Sequence, residues 1–228
     1  IGGGNQRLAL ALAAGLGGAV HLSSPVERVR WDATGARLRA GGAELEADRV
    51  VLAVPASVLG RIAFEPALPG SLAAAYAAVE YGHAAKLFVP LAAPAPPSAV
   101  LSVPERYWTW TATGDDGVQP VVSAFAGSAP ALARLGVAAG SQRWLASVAR
   151  LRPDLALEPA GAVLSTWDDD PWAGAAYSSR VPPPASWAPA APFHVCGEHT
   201  AGEASGLMDG ALASGLRVAN EILGAAAG

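Results

Sequence analysis

Residues 197–211, Gly-Glu-His-Thr-Ala-Gly-Glu-Ala-Ser-Gly-Leu-Met-Asp-Gly-Ala, decide how this chain is read. They follow a short apolar run, Phe193-His194-Val195-Cys196. They lead into a segment that ends near Leu223 and carries small residues at helical spacing: Gly206, Gly210, Ser214 and Gly215. The order is strand, polar turn, then a helix with a bare first turn. A helix N-terminus offers unpaired N–H donors and a positive dipole end. Glycines remove the side chains that would block approach to it. Such a junction either brings backbone N–H groups against a large anionic or electron-rich ligand or packs a helix tightly on a sheet through small residues.

The chain around this segment has 228 residues, enough for a large core or two small domains. Hydrophobic content of 52% against 15% charged residues marks a globular protein rather than a disordered one. The net charge of −4, with 15 basic residues scattered along the chain, argues against a nucleic-acid surface. No apolar run reaches the roughly 18 residues of a membrane span, and Leu8 to Val20 is interrupted by Gly15, Gly17 and Gly18. The single cysteine, Cys196, excludes an internal disulfide, and its apolar surroundings predict a buried small hydrophobe. No Cys/His cluster has metal-ligand spacing, and nothing assigns a compartment. The chain opens on Ile1-Gly2-Gly3-Gly4 with no Met or signal peptide, which reads as the interior of a longer protein.

Asn5 followed by Leu8, Leu12 and Leu16 predicts an N-capped helix to about Gly15. The preceding glycines are not a dinucleotide fingerprint, since no strand comes before them and Arg7 stands where the third glycine belongs. Val20-His21-Leu22 reads as a short strand and Pro25 to Trp31 as an alternating one. Arg37-Leu38-Arg39 and Ala43 to Ala47 flank Gly41-Gly42 as a hairpin. Arg49 to Pro55 reads as a buried strand. Beyond residue 62, strands are predicted at Ala85 to Val89, Tyr107 to Thr113, Pro120 to Ala126 and Ala162 to Trp167. Helices are predicted at Pro130 to Leu135 and Ser141 to Leu151. That order fits a mixed sheet with helices on one face. Val181 to Pro192 is a Pro-rich connector back to Phe193.

The motif itself resembles the C-terminal flavin-binding motif of the flavin-containing amine oxidases, the family of monoamine oxidases, polyamine oxidases and histone lysine demethylases. There an apolar strand precedes Gly-Glu-x-Thr, and Gly-x-Met-x-Gly-Ala opens a helix. Here these stand as Gly197-Glu198-His199-Thr200 and Gly206-Leu207-Met208-Asp209-Gly210-Ala211. The resemblance implies that Glu198 binds the ribityl chain of FAD and that backbone around Met208 donates to the pyrimidine edge of the ring. Gly197, Gly206, Leu207, Gly210 and Ala211 share that contact, and backbone near Val26 meets the adenine. The opening glycines resemble a Gly-Gly-x-x-x-Leu-x-x-Ala-Leu-Ala segment internal to the same family.

Two further stretches carry chemistry. Lys86, the only lysine beside fourteen arginines, lies in the predicted strand His83-Ala84-Ala85-Lys86-Leu87-Phe88-Val89. By itself it reads as a surface lysine. The resemblance makes it the residue that holds a water at the flavin N5, a task suited to a compact ammonium. His83 reads as structural or solvent-facing. Residues 167–178, Trp-Asp-Asp-Asp-Pro-Trp-Ala-Gly-Ala-Ala-Tyr-Ser, read alone as an Asp-Pro turn over packed aromatics. In the family this pattern places a tyrosine toward the substrate, which implies Tyr177 as the amine-facing aromatic, with Trp167, Trp172 and Leu207 lining the substrate. Asp168 to Asp170 read as a solvated turn that could also attract a cationic amine. Ala176 replaces the cysteine that carries flavin covalently in monoamine oxidases, so FAD is expected to be non-covalent. Leu207 replaces their second cage aromatic.

The expectation is an α/β plus α+β protein: part of a Rossmann-like FAD-binding domain with a mixed-sheet substrate domain inserted. Residues 1–61 and 181–228 are assigned to the FAD-binding domain and 62–180 to the substrate domain. The expected function is FAD-dependent oxidation of a small-molecule amine, of no assigned size, to an imine, with O₂ as acceptor and H₂O₂ as product. The N-terminal FAD-binding segment of the family lies outside this sequence and is the expected partner. Alternatives are a related flavin oxidoreductase acting on C–C bonds, such as a desaturase or porphyrinogen oxidase, and a non-catalytic fragment.

Overall fold

The computed structural model describes residues 1–114 and 117–226. Along the chain run α1 (Gln6–Gly15), β1 (Val26–Trp31), β2 (Ala36–Ala40), β3 (Ala43–Ala47), β4 (Val50–Leu52), β5 (Ala63–Glu65), α2 (Gly70–Ala77) and β6 (Glu80–Tyr81). Next come β7 (Ala85–Pro90), β8 (Ser98–Ser102), β9 (Tyr107–Gly114), β10 (Gly117–Ala126), α3 (Ala129–Leu135) and α4 (Gln142–Leu151). The last elements are β11 (Val163–Thr166), β12 (Ser178–Arg180), β13 (Phe193–Val195) and α5 (Met208–Ala226). The chain divides into two units. One joins Ile1–His21 to Gly82–Asp169, and the other joins Leu22–Tyr81 to the chain from Asp170 onward.

The first unit is built on a five-stranded sheet in the order β11-β7-β10-β9-β8, with every neighbouring pair antiparallel. Strict alternation along β7 sends Ala85, Leu87 and Val89 to a fully buried face. Leu135 of α3 with Trp144 and Val148 of α4 pack on that face. Tyr107 and Trp144 meet edge to face at 5.8 Å between centroids, and each large side chain buried here contributes about 1.5–3 kcal/mol. Ser128 caps α3 by accepting from the Ala131 N–H, and Gly136 ends it at φ 68°. Arg152 is almost fully buried, and its guanidinium is satisfied by Asp154 and Ser98. Its ion pair also holds the Asp154 carboxyl below the usual range.

The second unit contains a four-stranded sheet, β3-β2-β1-β5, and two two-stranded sheets, β12-β6 and β13-β4. The hairpin expected around Gly41-Gly42 forms, with both glycines at positive φ, 55° and 82°. β13 is buried along its whole length and pairs in parallel with β4. A buried parallel pair feeding a helix is the α/β arrangement expected for this region. β4 is shorter than the predicted Arg49 to Pro55 strand, because only Val50, Val51 and Leu52 meet β13.

Three local expectations differ. Asn5 precedes α1 but sits in helical geometry and makes no capping bond. Val20-His21-Leu22 forms no strand, because no neighbouring strand among the described residues takes up its backbone groups. Cys196 is half-buried rather than buried, and its partial burial pushes the thiol pKa up. α2, β5, β6, β8 and β12 carry no strong periodic signal and form through the partners they meet.

Candidate functional site

The junction read first in the sequence forms as expected. β13 ends at Val195, short 3₁₀ segments occupy Glu198–Thr200 and Gly202–Ala204, and α5 begins at Met208. Gly197 stands at φ 133°, and a Cβ there would come within 2.6 Å of the His199 ring. Its N–H donates to Ser214 Oγ at 2.9 Å, and that hydroxyl donates to the Ala211 carbonyl at 2.7 Å. Arg217 donates to the Val195 carbonyl and to Glu221, whose carboxylate also meets His194. One face of α5 therefore ties the end of β13 to the first turns of the helix. The N–H groups of Met208, Asp209 and Gly210 precede the first intrahelical bond and have no acceptor within the helix.

Glu198 organises the loop. One of its carboxylate oxygens accepts from Ser178 Oγ at 2.7 Å and from the Gly206 N–H at 2.5 Å. Ser178 opens β12 directly after Tyr177, so this carboxylate joins the start of β12, the Gly197-Glu198 turn and the Gly206-Leu207-Met208 approach to α5. Tyr177, Leu207 and Met208 are exposed there at 49%, 56% and 43%. Ser178 escaped the sequence reading, since a serine on a short strand carries no signal until its partner is known. Gly210 is buried, and a Cβ on it would lie 2.1 Å from the Ala204 carbonyl oxygen. Ala211 lies in the same first turns, its N–H bonded to the Leu207 carbonyl.

His199 is packed inward against Tyr76 and Trp187, with centroids at 5.8 and 5.2 Å, and its Nε2 has no hydrogen-bond partner among the described residues. Burial lowers its pKa from 6.5, partly opposed by the Glu198 charge. A histidine kept neutral when folded binds its proton more readily when unfolded. Its contribution to stability is therefore intact above pH 6.5 and is lost as pH falls below it. Thermal melts at pH 7.5 and 5.5 are expected to show a drop in Tm on acidification that is smaller in His199→Phe. An equal drop in both proteins would clear His199 of that role.

The remaining expected residues lie elsewhere. Val26 opens β1, partly buried against the second unit's core. Trp172 is 65% exposed on the turn at residues 170–173, where Asp170 accepts from the Trp172 and Ala173 N–H groups. That turn is held by Ser57, whose hydroxyl donates to the Ala173 carbonyl. In the first unit, Lys86 lies on the sheet face opposite the helices, its ammonium 5.9 Å from the centre of the Trp167 ring. Asp168 pairs with His83 at 2.8 Å and Asp169 with Thr166 at 2.7 Å. Asp168 is thereby tied to the segment that precedes β7, and Asp169 to the end of β11.

A strand–turn–helix junction, a loop-bridging glutamate and a glycine contact too tight for any side chain thus meet at the start of α5. The chain belongs to the flavin containing amine oxidoreductase family, whose sequence pattern matches residues 1–223. It is 28% identical to a protein of Mycobacterium tuberculosis named as a flavin-containing monoamine oxidase, AofH, covering 96% of this chain and 51% of that one. It superposes on wild-type putrescine oxidase bound to putrescine with a TM-score of 0.82 at 28% identity, covering 98% of this chain and 53% of the other. Cyclohexylamine oxidase from Brevibacterium oxydans shares the fold at 23% identity, with a TM-score of 0.80 and 96% of this chain covered against 52% of that one. The chain thus spans about half the length of the relatives it matches. No helix among the described residues is long and apolar enough to cross a membrane.

Proposed function

We propose that this chain is the C-terminal part of an FAD-dependent amine oxidase. The observation that carries the reading is the Glu198 bridge between Ser178 and the Gly206 N–H, placed beside the start of α5. The residues fit a flavin: exposed Leu207 and Met208 stand at the first turn of α5, whose N–H groups have no acceptor within the helix, and Gly210 allows the loop to close on the helix. Gly197, Glu198, Gly206, Leu207, Met208, Gly210 and Ala211 would hold the ring and ribityl chain, with Val26 toward the adenine. When bound, the flavin supplies the two-electron redox chemistry. Residues 1–61 and 181–228 serve the cofactor, together with sequence beyond this chain, and 62–180 serve the substrate.

The reaction removes two electrons and two protons from a neutral amine to give an imine, which water hydrolyses to a carbonyl compound and ammonia or a smaller amine. O₂ takes up the two electrons and two protons as H₂O₂. Backbone donors at the start of α5 stabilise negative charge on the electron acceptor. Tyr177 presents an aromatic face to the amine, and Trp167 and Trp172 are lesser lining residues. Lys86 holds a water by the ring and supplies a positive charge where oxygen is reduced. Ala176 offers no thiol, so acid precipitation of the loaded enzyme is expected to leave FAD in the supernatant.

The deciding experiment is Lys86→Met in the complete enzyme, followed by stopped flow. FAD content should persist, because methionine keeps the length and removes only charge and donors. Reoxidation by O₂ should slow by about tenfold to a hundredfold. Unchanged rates in both half-reactions would make Lys86 an ordinary strand lysine. Reduction by polyenes but not amines would replace the amine reading with C–C oxidation.

A further inference from the structure

The turn at Gly197–Thr200 is held by hydrogen bonds at every polar side chain but one. Glu198 accepts from Ser178 and from the Gly206 N–H, and Thr200 Oγ1 donates to the Gly197 carbonyl at 2.9 Å. His199, between them, is packed into the core of the second unit instead. There it meets Tyr76 of α2 and Trp187 of the 3₁₀ segment Pro184–Trp187. Tyr76 and Trp187 also meet each other, edge to face at 5.2 Å between centroids, so the three rings form a closed cluster. Among the described residues, the Tyr76 hydroxyl, Trp187 Nε1 and His199 Nε2 are all buried without a hydrogen-bond partner.

Buried polar groups are paired with few exceptions, and an ordered water is the usual partner where protein supplies none. Tyr76, Trp187 and His199 are 6%, 1% and 3% exposed, and their three polar atoms are sealed from solvent. A further segment of chain or a cofactor therefore reaches them only if the unit opens. The three atoms do not satisfy one another either. Their partner has to be small and, so deep in an apolar core, uncharged. Indole offers a donor, phenol a donor and an acceptor, and neutral imidazole one or the other at Nε2 according to tautomer. Burial favours those neutral forms, lowering the His199 pKa and raising that of Tyr76. Water meets the whole set, because it donates twice and accepts twice. An aromatic face accepts only weakly from an N–H and donates nothing to a ring nitrogen.

We propose that Tyr76, Trp187 and His199 hold one buried water between them. Through it, and resting on the amine oxidase reading, His199 is a positioning residue for the flavin. It pins the Gly197–Thr200 turn to α2 and to the Pro-rich connector. Glu198 and His199 are consecutive, one bonded within the loop and the other anchored in the core, so slack at the anchor displaces the carboxylate. The Gly197 backbone lies against the same ring and transmits that slack to the end of β13.

A high-resolution crystal structure of the complete, flavin-loaded enzyme tests the site. Density for one water should lie within about 2.7–3.2 Å of all three atoms. Close-packed rings with no density among them would overturn the proposal and leave the amine oxidase reading standing. Tyr76→Phe tests the consequence, because it deletes one oxygen and keeps the packed ring. Release of FAD, followed by the fluorescence of free flavin, should quicken by about twofold to tenfold. His199→Gln, which keeps a donor and an acceptor, should release FAD more slowly than His199→Leu. The Tyr76→Phe and His199→Leu effects should combine to less than their sum, since either one loosens the shared water. Release at the wild-type rate in both variants, with lowered melting temperatures, would reduce the water to a packing element and overturn the positioning role. Equal release from the glutamine and leucine variants would overturn it as well. A complete enzyme that carries no flavin would remove the amine oxidase reading and the positioning role together, while the water would still be read from the density.

Discussion

Gly210→Val is expected to abolish flavin loading and to lower the stability of the protein. Gly210 sits in the first turn of α5, where even a methyl group would stand 2.1 Å from the Ala204 carbonyl oxygen and 2.9 Å from the Ala201 Cβ. The obstacle is backbone, so no rotamer change relieves it. The loop from Gly202 to Leu207 must move off the helix, taking with it the Gly206 N–H that Glu198 holds. Overpacking of this kind costs on the order of 1–3 kcal/mol, and the displaced segment is the one assigned to the flavin. The 450 nm absorbance of the purified complete enzyme, read with its melting temperature, checks both effects. Gly210→Ala should show a milder form of the same defect. A valine variant with full flavin content and unaltered melting would move the cofactor site elsewhere.

Glu198→Ala should weaken flavin binding by about tenfold to a hundredfold, the range set by losing hydrogen bonds to a charged group worth roughly 1.5–3 kcal/mol each. Ser178 Oγ and the Gly206 N–H both lose their acceptor, and the three segments that meet at this carboxylate lose their common tie. Glu198→Gln keeps one acceptor oxygen and should recover part of the affinity. Equilibrium dialysis of FAD against the apoenzyme measures the ratio directly. Alanine and wild-type proteins with equal affinity would show that the bridge only shapes the loop.

Much of this was legible from local pattern. The positive-φ glycines at 41 and 42 name their own hairpin, and alternation along Ala85–Val89 names a half-buried strand with Lys86 on its open side. The strand–turn–helix at 193–211 is written in residue types that suit few other conformations, because bare glycines beside a short apolar run resist regular structure until a helix can start. Helices α3 and α4 emerge within a residue of their expected limits, since capping Ser128 and terminating Gly136 are chemical stop signs. In each case the determinant lies within a few residues of the element it specifies.

The tertiary structure decided whatever depends on a distant partner. Direction of strand pairing is one such property: the order of strands and helices in residues 62–180 reads as a mixed sheet, whereas all four pairs in the five-stranded sheet run antiparallel, because direction is set by which strands meet and not by their order. The weak strands β6 and β12 exist because each supplies the other's hydrogen bonds across about a hundred residues of chain. Leu8, Leu12 and Leu16 predict a helix correctly, yet α1 buries none of its residues, so periodicity there says nothing of what packs against it. Ser178 became a member of the site only when its hydroxyl met Glu198. Local sequence sets backbone preference and the identity of each side chain. Long-range pairing sets which side chains meet, because that choice is made by shape, burial and ladder hydrogen bonds between segments that share no local code.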